Sequence, residues 1–137
     1  RMEVIIYPIQ DSDDAPKGQV RRMFVALAKH PRLFTLVRET LKAIEREPSL
    51  DFLTRSGKEE RLTGCSEPIH VLKIPPKKCR EGIVRLYFVI DEDDPSRIWI
   101  LAGEHKHGRI KDDRESIHTA IRHYRSIWKG KSGGRGQ

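Results

Sequence analysis

The sequence predicts an α+β fold in which an N-terminal strand and a helical hairpin precede an antiparallel sheet and a C-terminal helix. Apolar residues recur at helical spacing in the first half and again near the end, and three β-rich runs bounded by Pro, Gly and Asp lie between them. No second core is evident in 137 residues. We therefore expect one domain over residues 2–129, followed by a flexible, basic Gly-rich tail over residues 130–137.

The first half predicts one strand and two helices. Positions 4–9 are mostly β-branched or aromatic and favour a strand, which the Asp-rich segment 10–14 ends. Helical spacing runs from Val20 to His30, and Pro31 suits the first turn of a second helix. The second helix has an amphipathic pattern up to Pro48, so the two helices are expected to form an antiparallel hairpin with their apolar sides inward. Residues 49–67 show no clear pattern.

The second half predicts three strands, at 69–74, 83–91 and 97–103, and an amphipathic helix at 115–128. Side chains alternate along a strand, so four apolar residues of the middle run share one face. We expect this middle strand to be central and the helices to lie largely on that one face of the sheet. The four residues are Val84, Leu86, Phe88 and Ile90.

The same alternation places Lys73, Arg85 and Tyr87 on the opposite face, where they would form a cationic, aromatic surface. Such a surface suits contact with an anion. The plainer interpretation is that these cations only keep the wet face of an antiparallel sheet soluble, and pattern alone favours it.

The last strand ends in the polar segment 103–109, which contains His105, Lys106, His107 and Arg109. His105 and His107 project to the same side if the strand persists, and imidazoles beside cations suit proton transfer or phosphate contact. A solvated, charged loop is the alternative. A metal site that adds His123 is also conceivable, but spacing places no third ligand, so neither a metal nor another cofactor is expected.

The positions of the other histidines predict a structural role for two of them and a surface location for two more. His30 lies near a helix end and His70 on a core-leaning strand position, so both are expected to be structural. His118 and His123 are expected on the surface of the last helix.

The amino-acid composition indicates which kinds of molecule the protein is expected to bind. Lys and Arg total 27 against 20 Asp and Glu, which gives a net charge of +7 and favours nucleic acid, a lipid surface or an acidic protein. No apolar run approaches the length of a membrane span or resembles a signal peptide, so we expect a cytoplasmic protein without membrane contact. Cys65 and Cys79 lack the paired spacing of a zinc knuckle or a redox centre.

Short motifs in the second half resemble the RelE/ParE/HigB superfamily of small bacterial toxins, and the initial strand, helix, helix order is similar as well. In these toxins a strand with basic residues precedes a strand with an Arg-Leu-x-Tyr-like core, an apolar strand, a basic segment and a closing helix. The corresponding segments here are 70–75 (HVLKIP), 84–88 (VRLYF), 98–103 (IWILAG), 106–107 (KH) and Ile117-x-x-Ala120.

The resemblance implies a metal-independent endoribonuclease, acting on messenger RNA at the ribosome and inhibited by a cognate antitoxin, which the net charge suggests is acidic. Such cleavage needs a base for the ribose 2′-hydroxyl, cations for the phosphorane and an acid for the leaving 5′-oxygen. By the family pattern Arg85 would hold the scissile phosphate and Lys73 would act as base. The other catalytic candidates are Lys106, His107 and His118.

Further RNA contacts are expected from Arg80, Tyr87, His105 and Arg109. The proton donor stays open between His107 and His118, because Ile117 occupies the position nearest to the Tyr or His of family ribonucleases. Two other functions also stay open. One is a ParE-like inhibitor of DNA gyrase, and the other is a non-toxic relative that binds RNA or a protein partner.

Overall fold

The computed structural model describes residues 1–10, 15–49, 51, 59–107 and 114–129. The predicted tail at 130–137 and Arg109 lie outside this part of the chain. The described elements are the strands β1 (Glu3–Ile6), β2 (Glu59–Arg61), β3 (His70–Cys79), β4 (Gly82–Ile90) and β5 (Arg97–Lys106), and the helices α1 (Gly18–Leu27), α2 (Pro31–Arg46) and α3 (Arg114–Tyr124). A π-helical turn, Arg125–Lys129, continues α3.

The five strands form one mixed sheet in the order β1-β5-β4-β3-β2. The expected meander of β3, β4 and β5 and the central position of β4 are confirmed. The expectation of a wholly antiparallel sheet is wrong, because β1 pairs with β5 in parallel. The helices between β1 and the meander carry the chain back across the sheet and allow this parallel pairing. The short strand β2 lies in the stretch without a clear pattern and extends the opposite edge.

The helical hairpin packs on one face of the sheet and forms the first core. Pro31 occupies the first turn of α2, as predicted, and Leu33 and Val37 are fully buried beneath that helix. Val84, Leu86 and Phe88 of β4 face the hairpin and are buried, which confirms three of the four expected core positions. Ile90 is 36% exposed, because it is the last residue of β4 and lies outside this core.

The terminal helix packs on the opposite face, so the expectation that the helices lie largely on one face is wrong. Ala120 of α3 and Trp128 of the π-helical turn pack with Val71, Tyr87 and Val89 in a second core. The physical reason lies in β4, where seven consecutive residues from 83 to 89 are buried. A strand that is apolar on both sides needs a cover on both sides.

Beyond the end of β1, side chains from the helices form hydrogen bonds with backbone groups of β5. The imidazole Nδ1 of His123 lies 2.7 Å from the carbonyl oxygen of Leu101, and the amide of Gly103 donates to Oε1 of Gln19 at 3.0 Å. His123 is therefore half-buried and structural, whereas the sequence placed it on the helix surface. These contacts satisfy backbone groups that an open edge would leave to solvent or to another chain.

None of the described helices combines the length and the apolar character that crossing a bilayer requires.

Truncation of the first core tests this packing. We expect Leu86→Ala and Phe88→Ala to lower the free energy of unfolding by about 2 to 5 kcal/mol each, because each leaves a cavity between β4 and the hairpin. Ile90→Ala should cost roughly 1 kcal/mol or less, because that side chain is already partly in water. Urea unfolding of the three variants measures the difference, and equal losses at Phe88 and Ile90 would contradict the arrangement.

His123 predicts a dependence of stability on pH. Burial lowers its pKa, the hydrogen bond to Leu101 opposes that shift, and Arg122 adds to it. The unfolded chain therefore binds more protons than the native chain in acid, and the contribution of His123 is complete above its unfolded pKa and lost as the pH falls through the native pKa. We expect unfolding to become easier below about pH 6.5, and His123→Asn to reduce this dependence. Urea unfolding at several pH values, compared between the two proteins, isolates His123 from the other histidines.

Candidate functional site

Charged residues meet on one face of the sheet at the start of β4. The strand register places Lys73 of β3 directly opposite Arg85 of β4, and Arg85 directly opposite Glu104 of β5. Directly opposed side chains on adjacent strands have Cβ atoms about 5 Å apart. Tyr87 and Lys106 share this face, and we call Lys73, Arg85, Tyr87, Glu104 and Lys106 the Arg85 cluster.

Arg85, Tyr87 and Glu104 lie beneath the surface. Arg85 is 6% exposed, Glu104 is 7% exposed and Tyr87 is fully buried, so the expected open cationic, aromatic surface is wrong for Arg85 and Tyr87. This face also carries the second core beneath α3, and the side chains that alternate toward it become buried with that core. The Tyr87 hydroxyl donates a hydrogen bond to Oε1 of Glu104. A carboxylate therefore lies among the buried groups and offsets part of the positive charge.

The two lysines lie at the rim of the cluster and keep contact with solvent. The Lys106 ammonium lies 3.5 Å from Oε2 of Glu104, and 30% of its side chain is exposed. The Lys73 ammonium lies 3.0 Å from a carboxylate oxygen of Glu60, and 29% of its side chain is exposed. The accessible charges of the cluster are thus two ammonium groups, which can bind an anion such as a phosphate, with a guanidinium below them.

Glu104 adds to the cluster a carboxylate that the sequence did not predict. Its Oε2 is buried and accepts no hydrogen bond from the described residues, although Lys106 lies nearby. Strand alternation does place Glu104 on the same side as Lys106, but only the register with β4 places it beside Arg85. Glu60 was missed because it lies in the stretch that showed no periodic pattern.

His105 and His107, both predicted site residues, lie on the other face of the sheet from the Arg85 cluster. His105 pairs with Val84, whose side chain belongs to the first core. His105 and His107 do lie side by side, as expected, with ring centroids 4.6 Å apart. His30 joins them, with its ring centroid 4.7 Å from that of His105 and 5.3 Å from that of His107, a contact that the sequence did not predict. We call these three residues the histidine cluster.

Two further predicted residues lie apart from the Arg85 cluster. His118 is exposed on the outer side of α3, where it lines an open groove of about 520 Å³ with Arg122 and Arg125. Arg80 lines a cavity of about 320 Å³ beside Leu33 and Leu36 of α2, on the hairpin side of the sheet. The structure therefore brings together Lys73, Arg85, Tyr87 and Lys106 from the predicted set, and separates His105, His107, His118 and Arg80 from them.

The phenol of α3 is also remote from the cluster. The Tyr124 hydroxyl donates to a carboxylate oxygen of Glu92 at 2.7 Å, and burial together with Glu92 raises the pKa of Tyr124 to about 12. Glu92 follows the end of β4, seven residues beyond Arg85, which is roughly 20 Å of extended chain. Tyr124 is thus not a proton donor for chemistry at Arg85.

No protein-family model, curated protein or solved structure matched the chain significantly.

A matched pair of carboxylate variants tests the electrostatics of the cluster. We expect Glu104→Gln to lower the free energy of unfolding by about 3 kcal/mol or more, because it leaves buried positive charge without its compensating carboxylate. Glu60→Gln removes the same charge from an exposed ion pair and should cost about 1 kcal/mol or less. Urea unfolding measures both. Equal, small losses would show that Glu104 does not neutralise the cluster.

Proposed function

We propose that this chain is a metal-independent endoribonuclease that cleaves RNA at the Arg85 cluster, and that it is the toxin of a toxin–antitoxin pair with a RelE-like fold. One observation carries the proposal: Lys73, Arg85 and Lys106 come from three adjacent strands and share one face of the sheet. Three cations grouped in this way suit a phosphate whose negative charge increases during reaction. The motif resemblance and the order of the elements give independent support.

The proposed reaction is attack of a ribose 2′-oxygen on the adjacent phosphorus. A bond forms between the 2′-oxygen and phosphorus, and the bond from phosphorus to the 5′-oxygen breaks, which leaves a cyclic phosphate and a free 5′-hydroxyl. One group must remove the 2′ proton and another must protonate the 5′-oxygen. No redox partner or metal ion is needed for this balance.

We assign these tasks to residues according to how exposed each side chain is. Lys73 and Lys106 contact the phosphate first because they lie at the rim. Arg85 adds positive charge from below, where low dielectric strengthens its effect. Lys73 stays the candidate base that the family pattern implies, whereas Glu104, whose Oε2 is buried, holds the Tyr87 hydroxyl and the Lys106 ammonium in place. Lys106 is the nearest ammonium to Glu104 and serves as donor to the leaving oxygen.

The same rim suits the proposed inhibitor. A cognate antitoxin with an acidic segment would cover Lys73 and Lys106 and exclude RNA from them. The net charge of +7 favours both this partner and ribosome-associated messenger RNA as substrate.

A second candidate function is a non-catalytic protein that binds RNA or a protein partner. The burial of Arg85 and Tyr87 favours it, since a cluster with an internal carboxylate also serves as a structural ion network. In this case the lysines at the rim contribute to affinity, and no bond in RNA is broken.

Lysine and arginine variants distinguish the two candidates. We expect Lys106→Gln to reduce the rate of RNA cleavage by on the order of 10²-fold, and Arg85→Ala by at least as much, because each removes positive charge from the transition state. Arg85→Lys should recover part of the rate, because it restores the charge without the two-pronged guanidinium. The measurements are cleavage of a labelled RNA by the purified chain and mapping of messenger RNA ends after induction in bacteria.

Lys42→Gln is the matched control, because it makes the same charge change on an exposed residue of α2, across the sheet from the cluster. It should leave cleavage unchanged. Urea unfolding of each variant separates lost chemistry from lost folding, which matters most for the buried Arg85. Cleavage by a folded Arg85→Ala protein at the parental rate would overturn the proposal. Growth inhibition with intact messenger RNA and altered plasmid supercoiling would instead identify gyrase as the target.

A further inference from the structure

Three imidazoles from distant parts of the chain converge on the hairpin side of the sheet. His30 lies between α1 and α2, whereas His105 and His107 lie at the end of β5, some 75 residues later in the sequence. One ring nitrogen from each lies within 4.8 Å of the others. Three neutral imidazoles at such spacing are a ligand set for zinc and for similar divalent transition metals.

The backbone of Glu81 fixes which nitrogen of His105 is available. Nε2 of His105 lies 2.6 Å from the carbonyl oxygen of Glu81, and a carbonyl oxygen only accepts hydrogen bonds. Nε2 therefore carries the proton, and Nδ1 keeps the lone pair that a metal requires. Metal-binding histidines commonly donate their second ring N–H to a carbonyl or carboxylate in this way, which fixes the tautomer and the ring orientation.

The segments that carry the histidines are also tied to one another. The Glu81 carboxylate accepts a hydrogen bond from the amide of Leu33 at 2.7 Å, so the same residue that orients His105 holds the start of α2 next to His30. Gly82 has a φ of +98°, and a Cβ there would clash with the backbone of Lys106 and lie 3.0 Å from Nε2 of His105. A glycine at this position permits the close approach of the β3–β4 turn to the end of β5.

We propose that His30, His105 and His107 bind one Zn²⁺ ion, with a fourth position open to water or to an anion. Tetrahedral zinc with bonds of about 2.05 Å places its ligand nitrogens roughly 3.3 Å apart. The ring nitrogens of the cluster lie within 4.8 Å of one another, so zinc binding requires them to close by on the order of 1.5 Å, and the exposed His107 side chain is the one free to rotate. The site ties the end of β5 to the junction of α1 and α2.

This zinc site is separate from the proposed ribonuclease site. Residues alternate along β5, so His105 faces the hairpin side, whereas Glu104 and Lys106 face the Arg85 cluster. Zinc binding requires no RNA, and the proposed cleavage requires no zinc. The test of one proposal therefore does not decide the other.

Zinc binding is tested with the full chain purified without an affinity tag and stripped of metal with a chelator. Titration calorimetry with ZnCl₂ should give one site per chain, and addition of Co²⁺ should give the visible absorption of tetrahedral cobalt with nitrogen ligands. Zinc should also raise the thermal unfolding temperature, because the three ligands are together only in the native chain.

Single-histidine variants then assign the ligands. His107→Gln and His30→Gln should each weaken zinc binding by at least roughly 10-fold, because losses of that size follow even when groups outside the ligand set are removed. His107 is exposed, so its substitution keeps the fold and gives a clear result even if His30→Gln is unstable. The matched control is His118→Gln on the outer side of α3, which should bind zinc like the parent chain.

Each of these measurements either supports the proposed zinc site or overturns it. Single-site binding that His30→Gln and His107→Gln both weaken, and that His118→Gln keeps, supports it. Absence of zinc binding by the parent chain at micromolar concentrations overturns it, as does unchanged affinity in folded His107→Gln. Equal weakening in His118→Gln overturns it too, because the metal would then lie elsewhere or bind without a defined site.

Discussion

The structure depends on the burial of β4 on both of its faces. The hairpin covers Leu86 and Phe88, and α3 with its π-helical extension covers Tyr87 and Val89. A strand in the centre of a five-stranded sheet has no other way to remove both apolar sets from water. Both helical layers follow from this requirement.

The second helical layer determines the chemistry of Arg85. Because β4 alternates, the face that presents Tyr87 and Val89 to α3 also presents Arg85, and the charge is buried with them. A buried guanidinium needs compensating charge and hydrogen bonds, and the Glu104 carboxylate lies directly opposite it on the adjacent strand. The charged groups of this face that a substrate can reach are therefore Lys73 and Lys106 at its rim. A phosphate that binds there is held by two flexible ammonium groups over a fixed positive charge.

Local patterns predicted the strands β1, β3, β4 and β5, the three helices and three residues of the first core, because helix and strand periods are visible over roughly ten to fifteen residues. They did not predict β2. They did not predict the face of α3, because Lys73 and Arg85 gave the second face of the meander a polar character that the neighbouring Val71, Tyr87 and Val89 do not share. The meeting of His30 with His105 could not be predicted either. It depends on the packing of the hairpin against β5, which no spacing within the sequence encodes.

An irregularity in the β4–β5 pairing determines which side chains at the polar end of β5 lie on each face of the sheet. Tyr87 pairs with Ala102 and Phe88 pairs with Ile100, so Leu101 has no partner on β4. This bulge places Leu101 and Ala102 both on the side of the second core, and it reverses the alternation of every residue that follows. Without it, the side chains that follow Ile100 at even positions would share the face of Ile100, and Glu104 would lie across the sheet from Arg85. One extra residue therefore decides that a carboxylate, rather than an imidazole, shares the face of Arg85, and that His105 lies on the same face as His30.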